Sequence, residues 1–226
     1  MSRLIDDHIE GLRERLFRMG GRAEAILDKA LRAVWERDGQ LAAEVLVDDI
    51  EIDRLEVAID EAVLKALALQ APVAEDLREV LAVKMIATDL ERVGDLARNV
   101  AKIAKRLASQ PEMPLPAKVK TLARAAQGAL RRALDAFART DPELARAVLG
   151  EDDAIDRVQD EVVESMLREL GSHPEAASQE VDVIMLAKHL ERVGDHATNI
   201  AEDVILVAEA RNVKHAAKLA RAGTAR

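Results

Sequence analysis

The stretch LERVGDLARNVA at residues 90–101 returns as LERVGDHATNIA at residues 190–201, and nine of the twelve positions are identical. Both copies keep a Glu, an Asp and an Asn at four-residue intervals. Four residues are about one helical turn, so these oxygen-bearing side chains share one face of a helix. A repeated row of oxygen ligands on a helix is the feature from which the rest of the chain can be interpreted.

The duplication extends upstream of this phrase, which indicates that a larger unit was copied. Asp49, Ile52 and Asp53 line up with Asp152, Ile155 and Asp156. Breaker residues divide the chain into six predicted helices, at about 4–37, 40–69, 72–109, 117–139, 140–170 and 172–211. We therefore predict an all-α protein made of two three-helix repeats, over residues 1–112 and 113–212, followed by a frayed tail at 213–226.

Several helix boundaries follow from Gly and Pro. Gly20 and Gly21 predict a bend in the first helix, and Pro72 is expected in the first turn of the third. Three prolines within residues 111–116 predict a stiff connector between the two repeats. Gly171 is expected to close the fifth helix.

Composition excludes several classes of function. The net charge of −9 disfavours nucleic acid as a partner, because phosphate binding needs a cationic face. The absence of cysteine excludes disulfides, thiolate nucleophiles and Cys-type zinc sites. The first residues lack an apolar signal core, and no apolar run approaches the roughly 20 residues of a membrane span. We expect a soluble, cytoplasmic protein.

The duplicated carboxylates are candidate metal ligands. A helical projection places the Glu/Asp/Asn row opposite the apolar stripe of its helix, so we expect it to face solvent. A second row, on the preceding helix of each repeat, is expected to lie along the same groove. Crowded carboxylates repel one another, and hard cations such as Mg²⁺, Mn²⁺, Ca²⁺ or iron would relieve that repulsion. The candidates are Asp49, Asp53, Glu91, Asp95, Asn99, Asp152, Asp156, Glu191, Asp195 and Asn199.

Two alternatives remain open at this level. Arginines repeat beside the carboxylates and would leave no room for a metal if they paired with them; these are Arg54, Arg92, Arg157 and Arg192. A glycine also lies within each ligand row, at Gly94 and Gly194, although it costs a helix about 1 kcal/mol relative to Ala. Either a tight helix crossing or a bound metal cluster explains this glycine.

The paired phrases, each with an upstream Asp-x-x-x-Asp, resemble the PhoU family over nearly the whole chain. The resemblance implies two three-helix bundles related by pseudo-two-fold symmetry. It also implies multinuclear metal clusters bound by the carboxylates, with iron, manganese, magnesium or zinc as the ion. The implied function is negative regulation of the phosphate-starvation response, between a phosphate ABC transporter at the inner membrane and a sensor histidine kinase. A homodimer, peripheral to the membrane at most, is the expected assembly.

The residues themselves favour a non-enzyme, because neither a nucleotide-binding Gly loop nor a Ser/His/Asp order is present. A di-iron carboxylate enzyme is disfavoured, since its Glu-x-x-His motifs are missing. A metal-free helical scaffold that binds partners through acidic faces is the main alternative. Metal content and chelator sensitivity discriminate between the scaffold and a metalloprotein.

Overall fold

The structure is a computed structural model that describes residues 4–170 and 175–214, and the described part is all helix and connecting loop. The helices are α1 (Leu4–Glu36), α2 (Gly39–Gln70), α3 (Ala74–Ala108), α4 (Ala117–Arg139), α5 (Pro142–Leu149), α6 (Asp152–Glu169) and α7 (Ala177–Glu209). The predicted all-α fold of two tandem three-helix repeats is confirmed. The boundaries assigned to those repeats, at residues 112 and 212, stay a prediction.

Equivalent capping residues begin the middle helix of each repeat. The Asp38 carboxylate accepts hydrogen bonds from the backbone N–H groups of Gln40 and Leu41, which begin α2. The Asp141 carboxylate accepts from those of Glu143 and Leu144 at the start of α5. Such caps satisfy backbone donors that have no partner inside the helix. The repeat is thus preserved in backbone chemistry as well as in apolar spacing.

The predicted fifth helix is wrong in one respect, because it is two helices. Gly150 ends α5, and its backbone N–H bonds back to the Arg146 carbonyl before α6 starts at Asp152. The equivalent stretch in the first repeat runs unbroken through α2. A glycine inside a continuous helix would cost roughly 1 kcal/mol relative to alanine. Ending the helix at Gly150 therefore loses less free energy than a break at another residue would.

One further boundary prediction is also wrong, because Pro72 precedes α3, whose N-cap is Val73. Helix α1 continues unbroken through Gly20 and Gly21, and the Gly20 backbone lies against Leu134 of α4. The bend predicted at these glycines stays a prediction. The predictions for Gly171 and for most of the tail, from residue 215 onward, fall outside the described residues.

The two repeats pack together through their last helices. Helix α3 packs on α1 and α2, α7 packs on α4, α5 and α6, and α3 and α7 pack on each other. Alanine, valine and leucine dominate the continuous core, and side chains such as Leu90 and Leu190 are fully buried. Small core residues allow close helix approach, which places each acidic row beside the helix that carries its partner row. None of the helices in residues 4–170 and 175–214 contains a stretch long and apolar enough to cross a membrane.

Candidate metal centre

Three carboxylates of the second repeat meet at the seam between α6 and α7. Asp152 and Asp156 lie one turn apart on α6, and Asp195 faces them from α7. Each offers an oxygen, and these oxygens all lie within 4.8 Å of one another. We call Asp152, Asp156 and Asp195 the second-repeat triad. Three hard oxygen ligands at this separation suit a divalent cation that completes its shell with water.

The triad concentrates negative charge, which His196 and Arg192 offset only in part, by lowering the pKa of Asp195. Burial raises the pKa of Asp152, and the charges of Asp156 and Asp195 raise it further. Burial is also the main cause of the raised pKa values of Asp156 and Asp195. Among the described residues, no Lys, Arg or His nitrogen forms an ion pair with any of the three. A cation at this point would relieve a repulsion that the protein itself leaves in place.

Glu191 lies one turn before Asp195 on α7 and borders the triad. Burial, followed by the charges of Asp195 and Asp156, raises the pKa of Glu191 to about 7, although Arg192 opposes the rise. A carboxyl group that is half protonated near neutral pH loses its proton when a cation binds nearby, because the cation lowers its pKa. Glu191 is not one of the three carboxylates whose oxygens meet, so its role as a metal ligand stays a prediction.

The equivalent carboxylates of the first repeat have internal partners. Arg98 reaches across from α3, with Nη1 3.1 Å from Asp49 Oδ2 and Nη2 2.6 Å from Asp95 Oδ1. Arg92 lies 3.4 Å from a carboxylate oxygen of Glu91 and 3.4 Å from one of Asp95. The guanidinium of Arg98 thus occupies the position between Asp49 and Asp95, where a shared cation would otherwise lie.

One residue accounts for the bridge between the two acidic rows, which only the first repeat has in the described part of the chain. Position 198 is the counterpart of Arg98 and holds Thr198, whose hydroxyl donates to the Asp195 backbone carbonyl at 2.7 Å. Of the four arginines considered from the sequence, only Arg92 pairs with the acidic rows within the described residues. Sequence reasoning missed Arg98, although the Arg/Thr difference lies inside the duplicated phrase. That difference was the available signal.

The two predicted amide ligands are engaged elsewhere. Asn99 Oδ1 accepts a hydrogen bond from Lys102 Nζ at 3.3 Å. Asn199 Nδ2 donates to Asp89 Oδ1 at 3.1 Å, and His196 Nδ1 lies 2.7 Å from the same oxygen. Asp89 belongs to α3, so Asn199 and His196 link the two repeats. The structure therefore places Asn199 at the contact between α3 and α7, turned toward Asp89.

The acidic rows lie in helix seams: the Glu/Asp/Asn rows that were expected to face solvent are only partly exposed, and Asp49 of the facing row is buried. Asp49 is only 3% exposed, and burial is the main cause of its raised pKa. Asp53 is exposed, and its charge also raises the pKa values of Asp49 and Glu91. A projection of one isolated helix does not include its neighbour, which covers the margin of the polar face.

Tight helix crossing explains the two glycines. A Cβ at Gly94 would lie 3.0 Å from both Asp49 Oδ1 and Ile52 Cδ1 on α2. One at Gly194 would lie 3.0 Å from Ile155 Cδ1 and 3.2 Å from Ile155 Cγ2 on α6. The missing side chains let each pair of helices approach, which brings the two acidic rows of a repeat together.

Comparison with known proteins places this architecture in a family. The model of the PhoU domain matches residues 16–104 and 119–204, one match in each repeat. The chain is 35% identical to the phosphate-specific transport system accessory protein PhoU homolog of Pseudomonas aeruginosa, over 95% of this chain and 89% of that protein. It is 36% identical to the homolog of that name from Xylella fastidiosa strain 9a5c, over 89% and 85% of the two chains.

The chain belongs to the PhoU family.

Solved structures of this family share the fold. The crystal structure of PhoU from Pseudomonas aeruginosa superposes with a TM-score of 0.89 at 35% identity, covering 91% of this chain and 99% of that one. The phosphate transport system regulatory protein PhoU from Streptococcus pneumoniae gives a TM-score of 0.86 at 23% identity, over 92% and 99% of the chains. The second similarity demonstrates the shared fold alone.

The two repeats of this PhoU-family chain differ in how well they suit a metal. In the second repeat, the triad presents clustered oxygens with raised pKa values and without an ion pair in the described residues, and Glu191 lies next to it. In the first, the Arg98 guanidinium already bridges Asp49 and Asp95. The residues present therefore fit a hard cation in the second repeat, and a metal in the first would have to displace Arg98.

Proposed function

We propose that this protein regulates phosphate uptake and phosphate-starvation signalling as a non-enzymatic accessory protein of the phosphate-specific transport system. In this proposal it acts in the cytoplasm, between the phosphate ABC transporter and a sensor histidine kinase, and restrains both when phosphate is plentiful. Membership of the PhoU family supports the proposal, as do relatives named as accessory proteins of that transport system. In the same proposal, the second-repeat triad binds a divalent cation.

The observation that carries the metal part is the cluster of Asp152, Asp156 and Asp195, which forms no ion pair within residues 4–170 and 175–214. Carboxylates bring charge and hard oxygen atoms, which suit magnesium, manganese, iron or zinc better than copper. A bound cation would turn a repulsive seam between α6 and α7 into a cross-link. It would also change the charge that this face presents to a basic partner surface.

Metal binding is tested on full-length protein purified without chelator and without a nickel column. Titration calorimetry with Mn²⁺ is expected to show one site for each chain. Asp156→Asn removes an exposed member of the triad and should weaken that site at least about tenfold, which corresponds to the loss of one charged ligand. Glu164→Gln, which removes an exposed charge elsewhere on α6, serves as the matched control. An unchanged affinity in Asp156→Asn would eliminate the triad as the site.

The regulatory role is tested separately in cells. Deletion of the gene should raise phosphate uptake and activate a phosphate-starvation reporter in phosphate-rich medium, and the intact gene should restore repression. Asp156→Asn should restore it poorly if the metal is needed for signalling. A deletion strain that keeps full repression would contradict the regulatory proposal, whatever the calorimetry shows.

A metal-free scaffold is the second candidate, and the first repeat favours it. There, Arg98 and Arg92 neutralise most of the acidic row, so that this seam is held by ion pairs. A protein whose thermal unfolding ignores both EDTA and added Mn²⁺ would support the scaffold for the second repeat as well.

The homodimer is proposed to form through the outer face of α2. Ile50, Val57 and Leu64 are exposed at seven-residue intervals, at 47%, 58% and 66%. If two copies of α2 pack antiparallel about Val57, then Ile50 of one copy meets Leu64 of the other. In this register the exposed Arg54 lies beside Glu61 of the second copy, so the stripe is self-complementary in charge as well as in apolar surface.

A further inference from the structure

A cleft in the second repeat contains buried polar atoms that have no hydrogen-bond partner among the described residues. It lies between the proline-rich connector (residues 111–116), the end of α6 and the start of α7, and measures about 670 Å³. Its apolar lining includes Met113, Leu115 and Met166. All of the residues considered below belong to the described part of the chain.

Two hydrogen-bond acceptors are buried in this cleft. Gln179 and Glu180, in the first turn of α7, are 5% and 3% exposed. Gln179 Oε1 and Glu180 Oε2 are inaccessible to solvent and have no hydrogen-bond partner. A buried acceptor that stays unpaired costs free energy comparable to a lost hydrogen bond, and more if it is charged. A ligand that brings donors to both atoms would recover that free energy.

The charge of the cleft restricts what that ligand is. Glu112, Glu169 and Glu180 line it, and no Lys, Arg or His among the described residues does. A cationic donor matches this lining, and an apolar body next to the cation matches the methionine and leucine side chains. An arginine or lysine side chain with apolar neighbours has both properties.

The walls of the cleft are held in place before any ligand arrives. Arg37 of α1 donates to the Gln110 carbonyl at 2.6 Å and to the Pro111 carbonyl at 3.3 Å, which secures the start of the connector. Met113 and Leu115 pack against the core from the other side of the connector. A preformed cleft binds without the entropic cost of ordering its own wall.

We propose that this cleft docks a segment of a separate partner protein that presents an Arg or Lys side chain flanked by apolar residues. In the complex, the side chains of Gln179 and Glu180 turn so that Oε1 and Oε2 accept hydrogen bonds from the cation, and the flanking residues cover Met113, Leu115 and Met166. The proposal goes beyond the regulatory function and does not depend on the second-repeat triad. It therefore stands or falls separately from metal binding.

The test uses ¹⁵N-labelled full-length protein and the peptide N-acetyl-Leu-Arg-Leu-amide. We expect saturable shifts confined to amides of residues 111–116, 165–169 and 176–180. The same peptide with Gln in place of Arg should bind at least about tenfold more weakly, because it lacks the charge-assisted hydrogen bonds. Scattered shifts, or equal binding of both peptides, would overturn the proposal.

Variants of the protein test the roles of the acceptors. Glu180→Gln should abolish the preference for the Arg peptide, whereas Glu14→Gln, an exposed change on α1, should keep it. Ser165→Arg, at a partly exposed position lining the cleft, places a guanidinium inside and should block the peptide even if Glu180→Gln fails to fold. Retained preference in folded Glu180→Gln, or unhindered binding to Ser165→Arg, would refute the assignment.

Two competitors identify other occupants. Spermidine supplies cations without an apolar flank, so binding as tight as that of the Arg peptide would overturn the peptide assignment. A synthetic peptide of residues 215–226, which carries Lys218, Arg221 and Arg226, represents a second copy of the chain. Tighter binding of this peptide than of the tripeptide would make a second copy the occupant and would contradict the separate partner.

Discussion

At the scale of single residues, position 98 and its counterpart 198 separate the two halves of the molecule. Arg98 spans Asp49 and Asp95, while Thr198 places no cation beside the second-repeat triad, which forms no ion pair in the part of the chain that the structure describes. A guanidinium and a divalent cation satisfy the same carboxylates, so each excludes the other from the space between them. Together with Arg92, which pairs with Glu91 and Asp95, Arg98 makes the first repeat less suited to a metal than the second.

The first prediction exchanges this residue. Thr198→Arg should place a guanidinium against Asp152 and Asp195 and weaken Mn²⁺ binding at least about tenfold in titration calorimetry. Thr198→Val, which removes the hydroxyl without adding charge, should bind Mn²⁺ as tightly as the natural protein. Full affinity in Thr198→Arg would mean that the metal lies somewhere other than the triad.

A second residue-scale prediction concerns Asp203, which is fully buried on α7 where the first repeat has the buried Ile103. Its Oδ1 lies 2.8 Å from Lys214 Nζ. Burial raises the pKa of Asp203 from 3.8 to about 6, against the opposing effect of Lys214. Because its pKa is higher in the folded state, its contribution to stability is full below pH 4 and is lost as the pH rises through about 6.

Asp203→Ile, which copies the first repeat, should therefore be more stable than the natural protein above pH 7. A rise of this size in the pKa corresponds to on the order of 3 kcal/mol, and the difference should shrink as the pH falls toward 4. Chemical unfolding at several pH values measures it, with Glu164→Gln as an exposed control. Parallel stability curves for Asp203→Ile and the natural protein would rule out this role for Asp203.

At the scale of helices, the close crossings at Gly94 and Gly194 bring the acidic rows together. The duplicated phrase predicted both helices and the shared face of their carboxylates, because helical periodicity is local. The phrase left the reason for each glycine open, since the contact with Ile52 or Ile155 comes from another helix. The break between α5 and α6 was likewise missed, because Gly150 is tolerated inside some helices and its effect depends on packing.

Gly194→Ala tests the crossing. The added methyl group gains roughly 1 kcal/mol in helix propensity but meets Ile155 Cδ1 and Cγ2, and overpacking typically costs 1–3 kcal/mol, so we expect net destabilisation of about 1 kcal/mol. Ile155→Val removes the Cδ1 methyl and should reduce the effect of Gly194→Ala in a double-mutant cycle.

Gly21→Ala on α1 is the matched control, since a Cβ there meets nothing within 4 Å. It should stabilise the protein by roughly 0.5–1 kcal/mol in the same unfolding measurement. Stabilisation by both substitutions would show that the α6–α7 crossing has room for a side chain and would contradict the packing argument.

At the scale of the whole molecule, α3 and α7 join the two repeats through polar contacts. These contacts do not follow the internal repeat, because they join residues at non-equivalent positions of the two copies. Asp89 bonds His196 and Asn199 across this seam, and Arg106 pairs with Asp182. In the second repeat, the position equivalent to Asp89 holds His189. The repeat symmetry alone therefore does not predict these contacts. The exposed stripe on α2 remains on the outside of the joined bundles.

The dimer prediction belongs at this scale. Sedimentation should show a concentration-dependent dimer, and Val57→Asp should keep the protein monomeric because it buries two charges at the two-fold axis. Leu81→Asp, on an exposed position of α3, should leave association unchanged. Arg54→Glu should weaken the dimer, and Arg54→Glu/Glu61→Arg should restore it. A monomer at all concentrations in the natural protein would contradict the proposed interface.

The sequence by itself determined the helices, the duplication and the membership of the PhoU family, because periodicity, capping and repeated motifs act over a few turns of chain. It also identified the carboxylates that meet at the α6–α7 seam. Only the tertiary structure decided that Arg98 bridges one acidic row, that Asn199 turns toward Asp89, and that Gln179 and Glu180 line a cleft without partners. These outcomes depend on which side chains of distant helices compete for the same space and charge, and that competition exists only after the helices have packed.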